Sequence, residues 1–497
     1  MAQQNDDYPG DEPVLDPAHL SPGYADECQL NRRATVFRRS PSEPYTFREL
    51  PTGQQILEPT GNTEMLVAGR NYHGYEKNET NNNFYRSDGN ERVLRNKAYR
   101  FVLDRKKQEP EEILSCNFGS VVRAELILNN NERWETCGVP VAIKRLDWKK
   151  VVDAFISGRQ NNPFQEVAVM QYLQRFCLQT HQGPPLPEEE IAGPAMNAIQ
   201  RSQRSTLDSH VLMPLDVFKD DNFLYIIMPY LDGGDLYDRV TGNRMTEDEA
   251  RHFLSQAIQG MEFLQRAGIS HRDLSIENLL TYNNASNDTV VFDFGMSLKI
   301  PYLSRKNHID DHRTEQRCLI NGQGHCGKDP YMAPEVYRCQ LTNRRNYEPF
   351  DGHAIDVWAL GPIMFAILSG GLVPWKSPHL RVNANFTAFT NGSQRHLVTW
   401  VRNVWRTHYE RLGSMGFNEN SWFALWFERN VETGQLQSTA CFSLFQDICR
   451  YNPRDRLSLR QVKNHAWMNP VPAPPPSNDL QSPLEYDPKQ MKCCSIC

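Results

Sequence analysis

The chain lacks any apolar run of about 18 residues, so it offers no stretch suited to span a bilayer as a helix. Its opening, MAQQNDDYPGDEP, has no basic start with an apolar stretch behind it, so no secretory signal is expected. An excess of positive charge is also missing: 54 Lys and Arg against 60 Asp and Glu leave a formal net charge of −6. No global positive field points to a nucleic-acid partner. The twelve cysteines keep no repeating spacing, which speaks against a disulfide framework. No internal repeat is found. What is present is 497 residues, 39% of them apolar. That is low but enough for a sizeable core, and at roughly 100–200 residues per domain it allows two to four domains.

Residues 1–95 are rich in Asp, Glu, Pro, Asn and Gln with weak apolar periodicity, and are expected to be largely disordered. The pattern changes near Tyr99. Short β-like runs follow at Ser120–Leu128, Val139–Lys144 and Leu224–Met228, with helical spacing between Phe164 and Phe176. A polar, Pro-containing insert covers Gly183–Ser209. After Glu247 the spacing turns helical, over Asp248–Ala267, His353–Leu368, Leu397–Leu412 and Phe442–Arg450. Strands first and helices later predict an α+β fold, with a small β-rich lobe before a larger α-rich one. A Pro-rich tail, 469–497, is expected to be extended.

Phosphoryl transfer needs few parts: a grip on the phosphates, a metal anchor, and a proton acceptor beside the acceptor hydroxyl. These parts occur in order. Val141-Ala-Ile-Lys144 ends a strand with a cation that can hold phosphates as a point charge. Glu166 sits on the following helix and can pair with it. His271-Arg-Asp-Leu-Ser-Ile-Glu-Asn278 places Asp273 to accept a hydroxyl proton and Asn278 to reach a metal. Asp293-Phe-Gly295 adds a metal carboxylate after the apolar run Val290-Val-Phe292, and Ala333-Pro-Glu335 closes the segment.

In these residues the chain resembles the eukaryotic protein kinase family over roughly residues 99–468. The resemblance implies a two-lobed fold, N-lobe about 99–228 and C-lobe about 232–468. It implies ATP as phosphoryl donor, Mg2+ held by Asn278 and Asp293, and Ser or Thr hydroxyls of protein substrates as acceptors. Gly119, Val121, Ala142, Lys144, Met228, Pro229, Leu231, Asp235 and Leu280 would surround the nucleotide. Pro229 keeps the carbonyl needed there although it has no N–H, and Leu231 would supply the amide. Asp235 reads equally well as a ribose contact or as the acid at a helix start. Asp356 resembles the aspartate that props the catalytic loop, and Arg456 the arginine that pairs with Glu335. An enzyme of this kind is expected to be cytoplasmic with reduced thiols.

The chain departs from the family in two places. The glycine-rich loop reads Leu114-Ser-Cys-Asn-Phe-Gly-Ser-Val121, and only its third glycine survives, as Gly119. Weaker nucleotide binding is expected, because the missing glycines let backbone amides approach phosphate. Cys116 in this loop reads as a redox or alkylation point, or simply as a small tolerated side chain. In the catalytic loop Ser275 stands where Ser/Thr kinases carry lysine, and Lys328 stands where the approach to Ala333 carries threonine. One reading is an exchange, with Lys328 and Ser275 as catalytic partners that keep the charge near the γ-phosphate. The other is two independent surface changes. Glu277 retains an acid that would hold a basic residue before the acceptor.

The segment between Asp293 and Ala333 has no Ser or Thr near its end; Ser304 and Thr314 lie further back, with Arg272 as a phosphate-docking arginine. His308, His312, Cys318, His325 and Cys326 cluster there without a standard zinc spacing. Asn31-Arg-Arg-Ala-Thr-Val-Phe-Arg-Arg-Ser40 reads as a phosphosite at Thr35 or as a solvated charge run. The last residues, Cys494-Ser-Ile-Cys497, fit a loose prenylation pattern, with Cys493 as a palmitoylation point, so membrane association is a further expectation. The reading is an active Ser/Thr kinase; the alternative is a pseudokinase or nucleotide-binding scaffold, suggested by the poor glycine loop and Ser275.

Overall fold

The computed structural model describes residues 97–470 and four short strands before them. Outside the described residues lie some single positions and the segments 131–132, 181–204, 220–221, 283–287, 300–325, 342–349, 392–393 and 417–439. The Thr35 patch, Thr314, most of the His/Cys cluster and Cys493–Cys497 therefore fall outside them.

The first half of the chain makes one antiparallel sheet. Its strands are β3 (Tyr75–Asn78), β4 (Asn83–Arg86), β5 (Lys97–Phe101), β6 (Glu112–Cys116), β7 (Gly119–Asn130), β8 (Arg133–Asp147), β9 (Asp216–Lys219) and β10 (Phe223–Pro229), after a separate hairpin of β1 (Tyr45–Glu49) and β2 (Gln55–Pro59). The order across it is β3-β4-β5-β7-β8-β10-β9, with β6 paired to β7. Four strands thus fall inside the stretch expected to be disordered, and the sheet reaches back beyond Tyr99. β3 (YEKN) and β4 (NFYR) are too short to show an alternation; β4 pairs with β5, and β3 with β4.

Period-two alternation divides the sheet's faces. Val122, Ala124, Leu126, Val141, Ile143, Tyr225 and Ile227 pack with Tyr99 and Phe101 into one small core. Leu146, Leu224, Ile226 and Met228 join the main core with the helices. Lys144 shares the parity of Leu146, so it lies on the helix-facing side. The register sets Ile226 and Val121 beside Lys144, and Met228 beside Ala142.

Two helices cover that face: α1 (Trp148–Ile156), capped by the Asp147 side chain on Lys150 N, and α2 (Pro163–Thr180). Proline at the first position of α2 loses nothing, since that N–H has no helical partner; Asn162 Oδ1 accepts from Phe164 N at 3.0 Å. The second half is helical: α3 (Leu236–Val240), α4 (Glu247–Arg266), α5 (Pro334–Leu341), α6 (Gly352–Leu368), α7 (Ala384–Asn391), α8 (Gln394–Ser414), α9 (Ala440–Ile448) and α10 (Leu459–Lys463). Thr246 and Glu249 form a reciprocal capping box that starts α4. All of α6 is buried, which is what a helix apolar on every side requires. Trp358 from α6 packs with Trp375 and Phe386, and Phe365 with Trp400 and Phe445. Between α4 and α5 run four very short strands: β11 (Ile269–Ser270), β12 (Leu279–Thr281), β13 (Thr289–Val291) and β14 (Leu298–Lys299), paired β11–β14 and β12–β13. No helix among the described residues is long and apolar enough to cross a membrane. This is the α+β, two-lobed arrangement expected.

Candidate active site

Lys144 projects from β8 toward α2, and Glu166, on the first turn of α2, meets it. Its Nζ lies 2.7 Å and 2.8 Å from the two carboxylate oxygens. Asp293 Oδ1 stands 3.6 Å from the same ammonium, on the other lobe. Burial alone would lower the Lys144 pKa; Glu166 and then Asp293 outweigh it and hold the ammonium above its ordinary value. Burial would likewise raise Asp293, but Lys144 beside it brings the carboxyl below the ordinary carboxylate range. Both groups are charged at neutral pH.

Asp293 is held in a left-handed backbone conformation, φ +64°, that a non-glycine residue adopts only under constraint. The constraint is visible on both sides. Phe294 is fully buried against the His271 ring, centroids 5.4 Å apart. Gly295 packs so closely on Asn161 that a Cβ would sit 2.6 Å from its Oδ1, and Gly295 O accepts from Asn162 N at 2.9 Å. That bond ties the start of α2, and so Glu166, to Asp293.

The loop between β11 and β12 carries Asp273. Asp356 of buried α6 accepts from His271 N at 2.7 Å and Arg272 N at 2.8 Å, as expected of a prop. Arg272 sits at φ +68°. His271 Nε2 pairs with Phe292 O at 2.9 Å, joining this loop to the strand that delivers Asp293. Asn278 Nδ2 donates to Asp273 O at 2.7 Å, which turns its carbonyl oxygen away as the free end. Burial pushes Asp273 up to about 6, against the opposing pull of the Lys328 charge and backbone N–H. Asp273 Oδ1 is buried with no hydrogen-bond partner among the described residues.

Lys328 and Ser275 come together: Nζ donates to Ser275 Oγ at 2.7 Å and lies 3.2 Å from Glu277 Oε2. Gly327 makes this approach feasible. Its φ is +94°, and a Cβ there would meet Arg272 O at 2.9 Å. Below, Arg456 and Glu335 form the expected bidentate pair, 2.8 Å and 3.1 Å.

Over the cleft, Val121, Ala142 and Met228 line the sheet face that carries Lys144, with Pro229 ending β10, Leu231 buried after it, and Leu280 partly buried in the main core. The surviving Gly119 has a packing reason: a Cβ would lie 2.0 Å from Arg145 O. Cys116 is its partner across the hairpin, half-buried and free. Asp235 does act as the helix-start acid; its Oδ1 accepts from Asp238 N at 2.7 Å, capping α3. Three contributors were not singled out from the sequence: His271, Asn162 and Gly327. Each works through a close tertiary approach, for which the only sequence hints are the Asn-Pro start of α2 and a glycine after Cys326.

A family model for the protein kinase domain matches residues 189–468. The Lys144 and Glu166 pair lies ahead of that stretch, so its place in the site rests on the geometry. The chain is similar to "Serine/threonine-protein kinase grp" of Drosophila melanogaster, 26% identical over 279 residues, covering 55% of this chain and 43% of the relative. It is similar to "Serine/threonine-protein kinase CHK1" of Mycosarcoma maydis, 27% identical over 216 residues, 43% of this chain and 29% of the relative. CBL-interacting protein kinase 9 of Oryza sativa subsp. japonica is 33% identical over 166 residues, 33% of this chain and 31% of the relative. The chain spans less than half the length of each of these relatives.

Proposed function

The chain belongs to the protein kinase family, and from that premise we propose that it is an active protein kinase acting on Ser and Thr hydroxyls with ATP and Mg2+. One observation carries the reading: a cation from one lobe and a carboxylate from the other, Lys144 and Asp293, face each other at 3.6 Å beside Asp273 and Asn278. A scaffold has no chemical use for that convergence.

The side chains suit the metal. Asp293 is ionised and Asn278 offers a carbonyl oxygen, both hard donors. Among the described residues no group of three or more His, Cys, Asp or Glu could hold a metal alone, which fits an ion that keeps waters and shares substrate phosphates. Bound there, Mg2+ would neutralise charge on the phosphates.

The protein's own residues do the rest. Lys144, fixed by Glu166, grips the donor phosphates. Asp273, supported from α6 through Asp356, orients the acceptor hydroxyl and takes its proton. The acceptor oxygen bonds to the γ-phosphorus as the bond to the β–γ bridging oxygen breaks, and the electron pair leaves with ADP.

Incubation with radiolabelled ATP, Mg2+ and a degenerate peptide library tests this. Label on Ser and Thr, abolished by Asp293→Ala, supports it. Nucleotide binding without transfer by the wild type would establish the pseudokinase reading instead. Attachment at a membrane is proposed through Cys493 and Cys494 alone; a lipid increment in the intact mass of the C-terminal peptide tests it.

A further inference from the structure

The amine of Lys328 is held at two points, and neither is Asp273. It donates to Ser275 Oγ at 2.7 Å and pairs with Glu277 Oε2 at 3.2 Å. Ser275 is fully buried, so that end of the contact is fixed within the loop. Glu277 and Lys328 keep about a third and two fifths of their side chains exposed, so the other end faces solvent.

The segment carrying Lys328 is itself clamped to the Asp273 loop. Cys326 Sγ lies 3.4 Å from Arg272 O, Gly327 lies flat against the same carbonyl, and Lys328 O accepts from Tyr331 N and Met332 N at 2.9 Å and 3.0 Å. The backbone at 328 is therefore set.

A half-exposed carboxylate four residues from the proton acceptor would by itself favour a cation on the incoming peptide. Here that cation is already supplied from within. Resting on the kinase reading, we infer that Lys328 is the internal counter-ion of Glu277, so that acceptor peptides are taken without a basic residue near the hydroxyl.

Steady-state transfer to two peptides, identical but for Lys or Gln two to three residues before the acceptor, tests this. The wild type is expected to discriminate between them by less than about threefold, the scale of an already neutralised surface pair. Lys328→Met should favour the Lys peptide in kcat/KM by about fivefold. Adding Glu277→Gln to that variant should remove the preference. Lys328→Arg should keep the wild-type preference. Glu277→Gln alone, which does not depend on the folding of a Lys328 variant, should change the wild-type preference by less than about twofold.

A wild type that favours the Lys peptide about tenfold, and loses that on Glu277→Gln, would overturn the inference. So would a Lys328→Met enzyme with unchanged preference. Both results leave the kinase reading standing. A wild type that labels neither peptide nor a degenerate library overturns both.

Discussion

Asp273 has opposite forces on it: burial raises its pKa, and Lys328 restrains the rise, leaving it at about 6. A proton acceptor must be ionised to work, so activity belongs above that value. We expect kcat/KM to fall about tenfold per pH unit below about 6, reporting this one group. Lys328→Met removes its charge but keeps the backbone N–H, so the acid limb should move to higher pH; a limb that stays put would separate the Lys328 charge from Asp273. Lys144 was legible in sequence from its place in the ordered set of motifs, with Glu166 downstream to pair with it, although β8 runs on past it to Asp147. Asp235 was legible only as two alternatives, and its cap on α3 shows why: one carboxylate at a loop–helix junction suits either role. Gly327 was not legible, since its importance lies in the nearness of Arg272 O, which no spacing reports.

At the scale of elements, the buried Arg456–Glu335 pair joins α5 to the turn before α10, and Arg456 Nη1 also reaches Ala354 O in α6 at 2.7 Å. Glu335→Ala would strand a guanidinium with no exposed surface. The expected loss is about 3–5 kcal/mol, read as a lower urea midpoint. Gly119→Ala drives a Cβ against Arg145 O and should cost about 1–3 kcal/mol by parting β7 from β8. An unchanged midpoint in either variant would refute the corresponding contact. The long elements were readable from periodicity: α4, α6, α8 and β10 lie within a few residues of their expected bounds. β9 and β11–β14 were not, because two to four residues carry no measurable period. β3 and β4, four residues each, escaped for the same reason.

At the scale of the whole molecule, the main core runs from the helix-facing side of the sheet into the helical half, a small core lies on the sheet's other face, and the site sits where the lobes meet. Beside the site, the two sides are coupled by Asn162 N to Gly295 O, by Gln165 Nε2 to Ser297 O and by the charge contact of Lys144 with Asp293. The order of motifs along the chain predicted the lobes and the meeting of Lys144 with Asp293, but not the bonds from the start of α2. With one glycine left in the loop above the cleft, we expect an ATP dissociation constant above the low-micromolar range, measured by calorimetry with Mg2+ present. The most direct trial of the account pairs that binding measurement with label transfer for Asp273→Asn. Mg-ATP binding is expected within about threefold of wild type and transfer reduced by about a hundredfold or more, because the group removed serves the proton and not the nucleotide. Undiminished transfer by Asp273→Asn would contradict it.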